Sequence, residues 1–230
     1  MNSTLVSTVP AWPVFALMGA AALIAVWDWV LASRQATAGR WMTKAAVPAL
    51  LVIAVALNSV QQGKPSWSAV IATGALALCL LGDLLLLEER RYVTGGLAFA
   101  GAHLLFIAAL LLDAQSEGWP AGPGVFIAIG LVGVGSFSVA WRVVTSAPSA
   151  RMAWMTGSYL ALLSVLVIVA GVDTAAPGGW LALIGAVAFY ASDILLTWRH
   201  NVLRDRGDNA PVMITYHVAL FALAGWALMA

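Results

Sequence analysis

Long apolar runs broken by short polar punctuation set the pattern of this chain. A helix that crosses a bilayer needs about 20 mostly apolar residues. Eight stretches approach that length: residues 12–32, 43–60, 68–87, 95–112, 124–143, 151–172, 180–198 and 211–229. The connections between them are short. Several carry Pro, Gly or Trp, as in Lys64-Pro65-Ser66-Trp67, Gly118-Trp119-Pro120 and Pro177-Gly178-Gly179-Trp180. Tryptophans at span ends suit an interfacial belt. No linker or low-complexity tract divides the chain. The pattern therefore predicts an all-α membrane protein, a bundle of eight transmembrane helices forming a single integral membrane domain over residues 1–230. No Lys or Arg precedes the first apolar run, so that run lacks the basic flank of a signal peptide and reads as a retained helix.

Composition agrees. Hydrophobic residues make up 62% of the chain and charged ones 9%, against about 25% charged in soluble domains. A net charge of +1 gives no reason to expect a nucleic-acid partner. The lone cysteine, Cys79, excludes an internal disulfide and a Cys-rich metal site.

The cations also set an orientation. Arg34, Arg40 and Lys44 flank the first connection, Arg90 and Arg91 the third, Arg142 and Arg151 the fifth, and Arg199, Arg204 and Arg206 the seventh. Ten of the eleven Lys and Arg residues thus share one side, and only Lys64 is on the other, with Asp113, Glu117 and Asp173. By the positive-inside rule the odd connections are cytoplasmic and both termini lie outside.

Two aspartates then stand out. Asp83 in CLLGDLLLL and Asp193 in FYASDILL fall inside spanning stretches, where a carboxylate costs about 2.5–3.5 kcal/mol on insertion scales. Each lies about 7–8 Å inside the cytoplasmic boundary, at 1.5 Å per residue. His103 on span four and Tyr216 and His217 on span eight approach the same layer, as do Asp28 at the end of span one and Lys44 at the start of span two. The outer half offers chiefly Asn58 and Ser59. One-sided clustering predicts a pocket open to the cytoplasm or the inner leaflet, not a continuous pore.

Gly82-Asp83-Leu84-Leu85-Leu86 resembles Ser192-Asp193-Ile194-Leu195-Leu196, 110 residues later, and each is followed by a turn and a histidine in the next span. Two parallel four-helix repeats would explain this; so would chance recurrence in a leucine-rich chain. Structural roles stand beside the functional ones. Asp83 and Asp193 could pair with cations to fix packing, Asp28 and Lys44 could snorkel to the interface, and His103 could bond between helices. His200, among Arg199, Asn201 and Arg204, reads as solvated, and Glu88-Glu89-Arg90-Arg91 as a self-compensating loop. Gly130, Gly133 and Gly135 read as packing glycines. Phosphate-binding glycine loops, HExxH and G-x-S-x-G elbows do not occur. A zinc site from Asp83, His103, Asp193 and His217 is chemically conceivable, but no short ligand spacing supports it.

Leu80-Leu81-Gly82-Asp83, then Gly95-Gly96-Leu97-Ala98-Phe99 and His103-Leu104-Leu105-Phe106, resembles the central signature of the YhhN family of lysoplasmalogenase-like membrane proteins. Gly185-Ala186, Phe189 and Ser192-Asp193-Ile194-Leu195 are similar to its second signature, and Asp28, Lys44 and Tyr216 fall where the family carries such residues. Departures are Lys44 and Pro48 separated instead of adjacent, Cys79 in place of a serine, and Leu220 in place of a polar residue.

The resemblance implies hydrolysis of the vinyl-ether bond of a lysoplasmalogen, giving a fatty aldehyde and a glycerophospho-ethanolamine or -choline. No cofactor is expected, and no residue is assigned as a metal ligand. The partners expected are a lysophospholipid substrate and membrane lipids, in a bacterial plasma membrane with the site toward the cytoplasmic leaflet. Such chemistry suits the residues, because protonation of a vinyl-ether carbon calls for a carboxylic acid in apolar surroundings, and a second carboxylate can stabilise the cation or orient water. Asp83 and Asp193 are the expected pair, with His103 orienting one of them or the water. Lys44 is expected near the substrate phosphate, with Asp28, Tyr216, Ser192 and His217 lining the pocket. A proton-coupled transporter, a metal-dependent lipid amide or ester hydrolase, and a non-catalytic lipid-binding protein remain as alternatives.

Overall fold

The computed structural model describes residues 11–34, 36, 39–63, 65–119, 122–204 and 209–230. Lys64, Pro120 and Arg206 lie outside these residues. All regular structure among them is helical, and eight helices are long and apolar enough to cross a membrane: Trp12–Ser33, Arg40–Gln61, Trp67–Leu85, Tyr92–Ser116, Gly124–Thr145, Ala150–Ala175, Gly179–Leu203 and Ala210–Ala227. They are numbered here as spans one to eight.

Local chemistry sets the helix starts. Ser66 accepts a hydrogen bond from the Ala69 amide at 3.0 Å, Ser149 from Met152 at 3.2 Å, and Asn209 from Val212 at 3.3 Å. Each satisfies an amide that the first turn leaves without a partner. Gly39 and Gly178 precede spans two and seven with φ of 80° and 75°, a conformation that side chains resist. Span four begins three residues before its apolar run and ends four after it, since helical backbone bonds continue into the interface once polar side chains can reach water. Pro48, inside span two, cannot donate the usual hydrogen bond to the Lys44 carbonyl one turn earlier.

Successive spans pack against one another through most of the chain, and span eight also touches spans one, two and three. It is the most buried of the eight, with 61% of its apolar window enclosed, against 17% for span five. Phe137 on span five is 90% exposed, an apolar surface suited to lipid. Span six closes the bundle by packing on spans four, five and seven.

The close helix approaches differ from those expected. A Cβ at Gly130 or Gly133 would meet nothing within 4 Å, whereas one at Gly135 would come within 2.8 Å of the Tyr190 ring. Tight backbone contacts form at Gly171, where a Cβ would lie 2.9 Å from the Gly124 carbonyl oxygen, and at Gly185, where one would lie 3.1 Å from the Ala219 carbonyl oxygen. These glycines let spans five and six, and seven and eight, touch backbone to backbone. Sequence spacing on span five could not reveal which face meets protein.

Candidate functional site

Asp83 sits in the last turn of the span-three helix, 3% exposed. Its neighbour Gly82 makes room for the Phe99 ring of span four, which would lie 2.6 Å from a Cβ there. The ring presses against the helix just where the carboxyl emerges. The Tyr216 hydroxyl of span eight donates to Asp83 Oδ2 across 2.6 Å, and Lys44 Nζ of span two lies 4.0 Å from Oδ1. Tyr216 is itself fixed edge-on by Phe99 and Phe189, at ring separations of 5.8 and 5.7 Å. Three spans therefore converge on one carboxyl.

Asp193, on span seven, is built in the same way. It is 8% exposed, and the Tyr159 hydroxyl of span six donates to its Oδ2 across 2.6 Å. Among the described residues it has no ion-pair partner. Its neighbour Ser192 donates to the Val212 carbonyl at 3.2 Å, which ties span seven to span eight.

Both aspartates line one cavity of about 470 Å³, together with Lys44, Ser192 and Tyr216. Five of the eight residues expected at the site thus share a single chamber. Asp28, His103 and His217 do not line it, and each has a physical reason.

Asp28 is fully buried and held as a clamp. Thr43 donates to its Oδ1 at 2.6 Å, while Arg40 donates from Nε to Oδ1 at 3.5 Å and from Nη2 to Oδ2 at 3.4 Å. A buried carboxylate needs such compensation, and here the compensation locks span one to span two. His217 accepts a hydrogen bond at Nδ1 from Trp29 Nε1, 2.9 Å away, and so joins spans one and eight. His103 is fully buried, and among the described residues neither ring nitrogen has a hydrogen-bond partner. It packs edge-on against Phe189 at 4.9 Å and Tyr159 at 5.5 Å, so it does not orient either aspartate by a direct hydrogen bond.

Sequence reasoning missed four residues. Tyr159 holds Asp193, and Arg90, Tyr92 and His200 line the cavity. His200 is not simply solvated, since its ring stacks on Tyr92 at 4.3 Å and 11°. It sits in a π-helical turn, Arg199–Leu203, that follows the span-seven α-helix, a distortion frequent at functional sites. Arg90 belongs to the presumed ordinary loop and is paired with Glu88 at 2.8 Å. A usable signal existed. The chain has only four tyrosines, and a buried phenol needs a polar partner, so Tyr159 and Tyr216 were natural companions for the intramembrane acids.

The opposite end of the bundle is also more polar than expected. Asp113 lies within span four, 6% exposed, and accepts a hydrogen bond from Ser68 at 3.4 Å. Asp173, at the end of span six, is fully buried. Both had been assigned to connections because they border apolar runs. Among the described residues, no three His, Cys, Asp or Glu side chains come together as a metal-binding group.

A bundle of eight apolar helices enclosing a polar chamber defines a multi-span integral membrane protein. Residues 39–226 match the YhhN family, and the chain belongs to that family. No curated protein and no solved structure matches the chain.

Proposed function

We propose that this protein is a membrane-embedded hydrolase that cleaves the vinyl-ether bond of a lysoplasmalogen. The products are a fatty aldehyde and a glycerophospho-ethanolamine or -choline. The observation that carries this proposal is the chamber shared by Asp83 and Asp193, each carboxyl accepting a tyrosine hydroxyl. Membership of a family that includes lysoplasmalogenases supports it.

The two carboxyls have unequal surroundings, which divides the work. Asp83 has Lys44 beside it, and Asp193 has only a neutral phenol. Asp193 is therefore assigned as the acid and Asp83 as the carboxylate. Asp193 delivers its proton to the vinyl carbon β to oxygen, leaving an oxocarbenium ion. Asp83 steadies that cation and takes a proton from the water that adds to it. In the resulting hemiacetal the carbon–oxygen bond breaks as Asp83 gives its proton to the glycerol oxygen and Asp193 takes the hemiacetal hydroxyl proton, which yields the aldehyde and the free glycerol hydroxyl and restores both carboxyls. Lys44 and Arg90 meet the phosphate at the arginine-rich side, which the charge asymmetry assigns to the cytoplasm. Purified protein given an alkenyl lysophosphatidylethanolamine should release aldehyde and glycerophosphoethanolamine in equal amounts. Consumption of an ester analogue with no aldehyde from the vinyl ether would contradict the proposal.

The alternative function is a proton-coupled carrier. Buried Asp113 and Asp173 at the far end of the bundle favour it, since acids near both faces are what a proton path requires. Substrate-dependent proton flux in liposomes, without product, is the outcome that would establish it.

A further inference from the structure

A second cavity, of about 430 Å³, abuts the first. The two share Leu86, Tyr92, Val93, Phe99, Met152, Asp193 and Leu196. Their other walls differ in kind. The first contains Lys44, Asp83 and Arg90. The second is lined mainly by Gly96, Leu97 and Ala100 of span four and Trp154, Met155 and Leu162 of span six, with hydroxyls only from Thr156, Ser158, Tyr159 and Thr197. Asp193 stands at the junction, with one neighbour that is polar and one that is mostly hydrocarbon.

The second cavity also opens sideways. Leu97 is 63% exposed and Trp154 78%, and they lie on the two spans that form its rims. On an apolar bundle such surfaces face lipid tails. The groove between spans four and six is therefore continuous from the bilayer to the Asp193 carboxyl.

We infer that this groove admits and holds the single hydrocarbon chain of a lysolipid whose headgroup lies in the polar chamber. The inference rests on the lysolipid function proposed above and adds where the chain lies and how it arrives. The groove's lining is mostly hydrocarbon, as an alkenyl chain requires. Threading places the first chain carbons, those next to the glycerol oxygen, at the junction beside Asp193. A second acyl chain would have to occupy the chamber of Lys44, Asp83 and Arg90, at the cost of burying those charges against hydrocarbon. The groove thus selects single-chain lipids by shape and polarity together.

Gly96→Trp gives the test. A Cβ at Gly96 would meet nothing within 4 Å, so a side chain can begin there without a clash, on a residue that lines the groove. Gly133→Trp, on span five and equally open, is the control for adding an indole to the lipid-facing surface. The first probe is a lysophosphatidylcholine carrying a mid-chain diazirine. Photolysis is expected to label peptides of spans four and six, with about tenfold less label in Gly96→Trp and unchanged label in Gly133→Trp. The second is hydrolysis of hexadecenyl against octenyl lysoplasmalogen. Gly96→Trp is expected to lower kcat/KM for the long chain by about tenfold while holding the short chain within about twofold. Label on other spans, or label equal in both variants, overturns the inference even if the protein releases aldehyde. Groove-specific label that Gly96→Trp blocks, in a protein that releases no aldehyde, upholds the groove and removes only the vinyl-ether chemistry.

Discussion

The Tyr216 hydroxyl donates to Asp83 Oδ2 across 2.6 Å, joining the most buried span to the one that carries the proposed carboxylate. Tyr159 repeats the arrangement for Asp193 from a different span. In each case a phenol fixes the rotamer of a buried carboxyl and leaves its other oxygen to face the chamber or a cation. These bonds hold the geometry on which the proposed chemistry depends.

Tyr216→Phe keeps the ring contacts with Phe99 and Phe189 and removes only the hydroxyl. Hydrogen bonds to charged groups contribute about 1.5–3 kcal/mol. The variant is expected to stay folded with a lower melting temperature in detergent, and to lose kcat by about 10- to 100-fold with little change in KM. Tyr159→Phe is expected to behave similarly through Asp193. Turnover at saturating lysoplasmalogen, alongside thermal unfolding, checks both.

Asp28 is expected to be a stability residue. Asp28→Ala removes the carboxylate that accepts from both Thr43 and Arg40, and removing one partner of a buried pair costs about 3–5 kcal/mol. The double variant Asp28→Ala with Arg40→Met should recover part of that loss. Melting temperatures of the single and double variants measure the coupling, while KM of the surviving folded protein should be unchanged.

His103 packs edge-on against Phe189 and Tyr159 and does not line the chamber, so an aromatic ring of similar shape can take its place. His103→Phe is expected to stay folded and keep kcat within about threefold. A loss of two orders of magnitude in kcat with normal folding would restore His103 to the chemistry.

Lys44→Met is expected to raise KM for the phosphate-bearing substrate by about tenfold, and Lys44→Arg to restore much of it. A titration of initial rate against substrate separates this from a kcat effect, which would signal that Lys44 acts mainly through Asp83.

Much of this protein was legible in its sequence. Each of the eight apolar runs became a helix, because a spanning helix is set by length and hydropathy alone. Asp83 and Asp193 were visible as charges where charges are costly, and Lys44 and Tyr216 as polar groups at the same depth. Depth, however, does not give azimuth. Asp28 and His217 sit at the expected level yet turn toward Arg40 and Trp29, which no spacing along the chain reveals. Tyr159 was hidden because a tyrosine in an apolar run looks like core until its hydroxyl finds a partner. His200 depended on a π-helical turn that rotates it onto Tyr92. Asp113 and Asp173 were lost to a boundary effect, since helices outlast their apolar windows.

The central claim is that Asp83 and Asp193 together cleave a vinyl ether. Its most direct test is aldehyde release from alkenyl lysophosphatidylethanolamine by the purified protein and by Asp83→Asn and Asp193→Asn, each with folding verified by thermal unfolding. Equimolar aldehyde is expected from the parent protein, with a loss of about 10³-fold or more in either variant. Near-normal aldehyde release from both folded variants would contradict it.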